Sequence, residues 1–247
     1  MPSYSGGRRL PSSEVLERIQ YSLRTGRPFS LVRVGDGENI VMAQNSVWTI
    51  DRVLATKWAR LANKSRSSKG LKLPNLDMRD RMVESIRKAT VVGILNYGDS
   101  IIKARPEYKR PLTDKIFAHY GLKPRYTCNA LFNRYAANDP LFWELIRGYR
   151  ILIVTRNPEG IAKLLSGGPY NQHIAGTISF GHCDELEETV EELKANRNKF
   201  DIALISCGVN AVVLAQQVAE AAGKVGIDFG KGLTRLPLSQ EAGGNGI

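Results

Sequence analysis

Two carboxylates lie two residues apart inside a glycine-rich turn, Arg33-Val34-Gly35-Asp36-Gly37-Glu38, and they offer this chain's clearest chemistry. In an extended segment, residues i and i+2 face one side, so Asp36 and Glu38 aim at one point if that geometry runs through the turn. Close acids repel unless they share a proton or a cation. Gly35 and Gly37 let a ligand approach the backbone, and oxygen donors suit a hard divalent ion carrying a phosphate-bearing ligand. A structural alternative stands beside this one. Asp36 can serve the turn, and Glu38 can sit in a first helical turn, where the dipole favours its charge. Chemistry alone leaves both readings open. Arg33 interrupts an apolar strand two residues before the turn, so it pairs with a carboxylate or a phosphate.

These residues need a frame. Phe29-Ser30-Leu31-Val32 is short, apolar and partly β-branched, and predicts a strand over about 29–35, with a helix starting near Glu38. Before it, Ser12 or Ser13 can cap a helix whose stripe is Val15, Leu16, Ile19 and Leu23, ended by Gly26. Leu54, Trp58 and Leu61 recur at helical spacing and read as core contacts. A helix over 76–89 follows Pro74, then a buried strand over 90–95. Further strands are predicted over 126–132, 150–155, 174–180 and 201–207, with helices over 139–148, 158–166, 184–196 and 210–222. That alternation predicts an α/β, Rossmann-like fold: a mostly parallel sheet with helices on both faces, in a single domain. Residues 11–238 form the domain, with 1–10 as a flexible N-terminus and 239–247 as a flexible tail.

In such sheets ligands sit beyond the carboxyl ends of the strands. Asn96-Tyr97-Gly98-Asp99, Thr155-Arg156-Asn157-Pro158 and Cys207-Gly208-Val209-Asn210 occupy such ends, as do Asn129, Asn133 and Arg134. Asn157 and Asn210 are first of all helix caps. Gly208 lets a ligand approach the backbone or simply serves a tight turn. Arg60, Lys64, Arg66, Lys69 and Lys72 lie in or beside one loop, a clamp for a diphosphate or an anionic acceptor, or merely a solvated face.

Composition narrows the classes. The 247 residues can bury a full core, and 43% apolar with 24% charged residues is ordinary for a soluble protein. No apolar run approaches the ~20 residues of a membrane span, and the first residues lack a hydrophobic signal core. Three scattered cysteines make neither a disulfide framework nor a zinc ribbon, which fits a reducing cytoplasm. Adjacent His182 and Cys183 cannot easily bind one ion, and His173 adds no matching pair, so zinc is not expected. The formal charge of +11 attracts polyanions, sugar nucleotides or an anionic membrane surface. GxSxG and P-loop motifs are absent.

The segment Ser30–Glu38 resembles the N-terminal signature of the GT-D-type glycosyltransferases, whose DxE motif is taken as the metal and donor site. Thr127-Cys128-Asn129-Ala130-Leu131-Phe132-Asn133-Arg134 is similar to that family's Asn-containing middle block. Ser206–Asn210 through Leu214-Ala215, then Gly226–Gly230, is similar to its glycine block and closing Asp-x-Gly. Val34 stands where an aromatic is usual, and Gly208-Val209-Asn210 replaces Gly-Pro-Thr. The resemblance implies a metal-dependent hexosyltransferase using a nucleoside diphosphate sugar, UDP-glucose or UDP-galactose. In it Asp36 and Glu38 hold Mn²⁺ or Mg²⁺, and Arg33 completes the catalytic set by orienting them or touching a phosphate. Gly35, Gly37, Asn129, Arg134, Gly208 and Asn210 border the donor. Asp99 and Asp228 are the acids available as general base. The acceptor is a glycan on a surface protein or a lipid carrier, reached from the cytoplasm at the inner face of the membrane. Two other readings are an S-adenosylmethionine-dependent methyltransferase, weakened by a missing third glycine, and a basic nucleic-acid-binding module. The second is disfavoured because residues 62–72 contain no aromatic.

Overall fold

The computed structural model describes residues 7–65 and 67–236. The chain runs β1 (Arg8–Arg9), α1 (Ser12–Thr25), β2 (Phe29–Val34), α2 (Asp36–Met42), α3 (Ile50–Leu54), α4 (Lys57–Ala62), α5 (Leu76–Lys88) and β3 (Val91–Ile94). It continues through α6 (Arg110–Tyr120), β4 (Tyr126–Asn129), α7 (Phe132–Asn138), α8 (Pro140–Ile146), β5 (Ile151–Thr155) and α9 (Pro158–Ser166). Then come β6 (Ile174–Ser179), α10 (Leu186–Ala195), β7 (Ile202–Ser206), α11 (Ala211–Glu220), β8 (Val225–Asp228) and a 3-10 segment, Gly230–Arg235. Among the described residues all eight strands are parallel, in the order β1-β4-β3-β2-β8-β7-β5-β6.

Strands β3, β5 and β7 are apolar and buried almost throughout because both faces are covered. Val32, Val34, Val92, Ile94, Val154 and Ile205 point to one core, with α2, α5, α6, α10 and α11. Leu31, Val91, Ile153, Leu204, Val225 and Ile227 point to the other, with α1, α7, α8 and α9. Helix α11 is buried along most of its length, as its all-round apolar pattern requires. It lies directly on β8, where a Cβ at Gly226 would stand 2.2 Å from the Ala215 carbonyl oxygen.

The order of the strands places the site. From β2 the chain moves outward to β3 and β4, and the later strands build the other half and return to β8 beside β2. The exits of β2 and β8 therefore flank the point where the winding reverses, which is where open α/β sheets form their ligand crevice.

Several boundaries differ from expectation. Helix α2 starts at Asp36, not near Glu38. Pro11, not a serine, is the N-cap of α1. The stretch 51–61 is two short helices, α4 being restarted by Thr56, whose hydroxyl accepts the Ala59 amide, and Leu61 is 38% exposed instead of in the core. The strand expected over 126–132 ends at Asn129, whose side-chain oxygen takes the Leu131 amide at 3.0 Å and turns the chain into α7. Within the N-terminus expected to be flexible, Arg8 and Arg9 pair with β4 and Leu10 is buried. Residues 1–6 and the expected tail, 239–247, lie outside the described residues.

Candidate active site

Strand β2 ends at Val34, Gly35 is extended, and Asp36 and Glu38 become the first and third residues of α2. The i, i+2 geometry of a strand therefore does not run through the turn. Glu38 instead folds back, and its Oε2 accepts the Gly35 amide at 2.9 Å, the glutamate half of a capping box. Asp36 at the turn and Glu38 in the first helical turn are thus the observed backbone geometry. It does not remove the acids from one another. Burial pushes the Glu38 carboxyl up to about 7, and the nearby charges of Asp228 and then Asp36 add to that, against Arg33 and the backbone hydrogen bond. Asp36 makes no hydrogen bond or ion pair among the described residues.

Asp228, at the end of β8, is fully buried. Arg33 donates from Nη2 to Asp228 Oδ1 at 2.6 Å and from Nε to the Asp228 carbonyl at 2.7 Å. The charged interruption of β2 thus finds its carboxylate across the β2–β8 junction, not in Asp36 or Glu38. Burial raises the Asp228 carboxyl above its ordinary value in spite of Arg33. Its second oxygen, Oδ2, is buried with no partner. Gly230 closes over Arg33 so tightly that a Cβ would stand 2.0 Å from Nη2. Asn133 donates to the Phe229 carbonyl at 2.7 Å and leaves its own Oδ1 buried without a donor. The unpartnered Asp228 oxygen, whose charge also reaches Glu38, is an oxygen donor of the kind a hard divalent cation takes, as residue type and spacing suggested for Asp36 and Glu38.

The other expected residues divide. Asn210 is buried at the N-cap of α11 but makes no side-chain cap bond; its Nδ2 donates to the carbonyls of Gly70 at 3.0 Å and Cys207 at 3.2 Å. Gly208, at φ 61°, lies under the basic loop, with Lys69's carbonyl oxygen 3.3 Å from where a Cβ would be. Gly37 is covered by Trp58, whose Nε1 would be 2.8 Å from a Cβ there. These positions therefore meet protein at the strand exits. Asn129 uses its side-chain oxygen in the turn after β4, and Arg134 projects, partly buried, from the first turn of α7. Asn157 occupies the N-cap of α9 without a side-chain cap bond.

Asp99 is not free to act as a base. Lys109 Nζ lies 3.2 Å from its Oδ2, the same oxygen takes the Ile102 amide at 2.9 Å, and both side chains are buried. His182, Cys183 and Asp184 bring ligand atoms within 4.8 Å of one another, but in three consecutive residues of one turn. A cleft of about 570 Å³ opens beside the exits of β5 and β6, lined by Arg156, Asn157, Thr177 and Ser179 among others. Trp58 and the Arg33–Asp228 pair were not legible as site features. A signal for the latter existed: Val225-Gly226-Ile227-Asp228-Phe229-Gly230 repeats, more faintly, the apolar run closed by an acid and a glycine seen at Asp36.

No curated protein matches the chain. A solved structure, described as the highly conserved domain of unknown function 1792 with a distinct glycosyltransferase fold, aligns over 92% of this chain and 79% of its own, with a TM-score of 0.55 and 16% identity. The shared fold is therefore that of a glycosyltransferase. Residues 10–236 match a family model described as a GT-D fold-like domain, and with that match over nearly the whole chain the protein belongs to the GT-D-like family.

Proposed function

We propose that this glycosyltransferase moves a hexose from a nucleoside diphosphate sugar, UDP-glucose or UDP-galactose, to a glycan on a surface protein or a lipid carrier, with Mn²⁺ or Mg²⁺ at Asp36 and Glu38. The observation that carries the reading is that Glu38, in the first turn of α2, lies within the charge of both Asp228 and Asp36, with one Asp228 oxygen buried and unpartnered at the reversal point of the sheet. Family membership favours sugar transfer over the methyltransferase and nucleic-acid readings.

In the reaction, an acceptor hydroxyl oxygen bonds to the anomeric carbon. The bond from that carbon to the diphosphate oxygen breaks, the diphosphate keeps the electron pair, and the hydroxyl proton leaves to a base. A bound divalent ion offsets charge on the departing diphosphate. The chain's residues prepare for this. Arg33 acts as a positioning residue, holding Asp228 by side chain and backbone at once. Glu38 fixes the first turn of α2, and thereby where Asp36 points. The raised affinity of Glu38 for a proton means that a cation must displace it near neutral pH. The excess of positive charge suits work at the cytoplasmic face of a membrane carrying anionic lipid carriers. Among the described residues, no helix is long and apolar enough to cross that membrane.

The test is donor turnover. Purified protein with Mn²⁺ and a panel of nucleotide sugars releases nucleoside diphosphate, and Asp36→Ala and Glu38→Ala abolish the release. Undiminished release by both variants removes the metal role.

A further inference from the structure

Resting on that reading, we propose that Lys69, seated on Trp58, receives the donor's diphosphate, so that the basic loop is a wall of the active site and not a solvated excursion.

The loop's backbone is tied to three strand exits. The Gly70 carbonyl accepts the Asn210 amide at 3.0 Å and the Cys183 backbone amide at 2.8 Å. The Ser67 carbonyl accepts Arg156 Nη2 at 3.2 Å, and the Lys69 carbonyl is pressed against Gly208. Because Asn210 is fully buried, the bond it makes anchors Gly70 to the interior. A loop held only by solvent would not place its carbonyls on buried donors from other elements.

The side chains are arranged differently from the backbone. Lys69 Nζ lies 5.3 Å from the centre of the Trp58 ring, and the edge of that ring covers Gly37, the residue between Asp36 and Glu38. Lys69 makes no salt bridge among the described residues, although Asp36 and Glu38 flank the glycine that Trp58 covers. Arg33, whose charge also reaches Glu38, is already committed to Asp228. An acidic wall repels a diphosphate unless positive charge is added. A divalent ion offsets part of that, and an ammonium held at the same mouth by a cation–π contact supplies more. Lys69 is thus a positioning group for the diphosphate, and Trp58 sets where its ammonium stands.

Inorganic pyrophosphate is the probe, because it carries the diphosphate without base or sugar. Its binding is measured by calorimetry in Mg²⁺ buffer, with unfolding midpoints recorded alongside. Lys69→Gln weakens binding about tenfold, Lys69→Arg restores it to within about threefold, and neither moves the midpoint appreciably. Trp58→Phe keeps binding near the parent value, whereas Trp58→Leu loses it as Lys69→Gln does. Equal affinity in Lys69→Gln and the parent protein overturns the assignment while leaving the transferase reading standing. A parent protein that does not bind pyrophosphate also overturns it, even if it turns over a nucleotide sugar. Absence of both binding and turnover brings down the transferase reading as well.

Discussion

The two walls of the proposed site are built on opposite plans. At the β2–β8 junction the working side chains are themselves structural. Arg33 and Asp228 form an ion pair with only 19% and 1% of their side chains exposed, and Glu38 caps the helix it is carried on. Across the crevice, the basic loop is secured through backbone carbonyls at Ser67 and Gly70, while Lys64 and Lys69 pair with no carboxylate among the described residues. The difference teaches where function and folding are separable. Changes on the acidic wall must alter stability and chemistry together, whereas changes on the basic wall can alter binding alone.

The largest expected effect lies in the ion pair. Arg33→Met removes one partner and leaves Asp228 buried with both oxygens unsatisfied, which should cost about 3–5 kcal/mol by denaturant unfolding. Asp228→Asn keeps an acceptor for Arg33 and should cost less. If Arg33→Met behaves like an exposed arginine, below about 0.5 kcal/mol, the acidic wall is not structural and the contrast fails.

Glu38 comes next, and its sign is fixed. Its folded-state value of about 7 lies above the ordinary 4.5, so the folded protein holds this proton more tightly than the unfolded chain. Stability is therefore lost as pH rises from about 4.5 to about 7, by roughly 3 kcal/mol at most. Glu38→Gln keeps an acceptor for the Gly35 amide and removes the titration. Its melting temperature relative to the parent should climb between pH 5 and pH 8. Over the same range the gain in parent stability on adding Mn²⁺ should grow, since the ion competes with the proton. A difference between parent and Glu38→Gln that stays flat with pH would show that Glu38 ionises normally.

Gly37 joins the two walls. A methyl group there meets Trp58 Nε1 at 2.8 Å, and the ring must shift. Gly37→Ala should cost about 1–3 kcal/mol and weaken pyrophosphate binding through the displaced Trp58, both measurable in one titration series. Unchanged binding with reduced stability would detach Trp58 from the ligand.

How much of this was legible in the sequence follows the same division. The parallel sheet, its strongly apolar strands and helices α9 to α11 were readable because burial on both faces leaves continuous Val, Ile and Leu runs. Strand β8 was not assigned as a strand, although it is central. Val225-Gly226-Ile227-Asp228 is four residues long and includes a glycine demanded by α11, so its local signal is weak. With β8 missing, the partner of Arg33 could be given only as a carboxylate or a phosphate, because the two residues are 195 positions apart and meet only through sheet order. The spacing of Asp36 and Glu38 is plain in the sequence, but the strand geometry expected for them yields to a helix that starts at Asp36. The basic loop's composition was plain. Its anchoring was hidden, because the bonds run from its backbone to Asn210, Cys183 and Arg156, and backbone bonds leave no residue signature.

The smallest expected effect is the sharpest on the basic wall. Lys64 is exposed and lies in the same loop, but it makes no cation–π contact or ion pair among the described residues. If the loop acted only through its summed charge, Lys64→Gln and Lys69→Gln would weaken pyrophosphate alike, and both losses would fade with salt beyond the Debye length of about 8 Å at physiological ionic strength. A placed ammonium predicts otherwise. Lys64→Gln should change affinity less than about twofold at 0.15 M salt, while the Lys69→Gln loss should persist there, because Trp58 holds that charge in one position. Calorimetry at two salt concentrations separates the cases, and equal, equally screened losses would reduce the basic wall to a diffuse field.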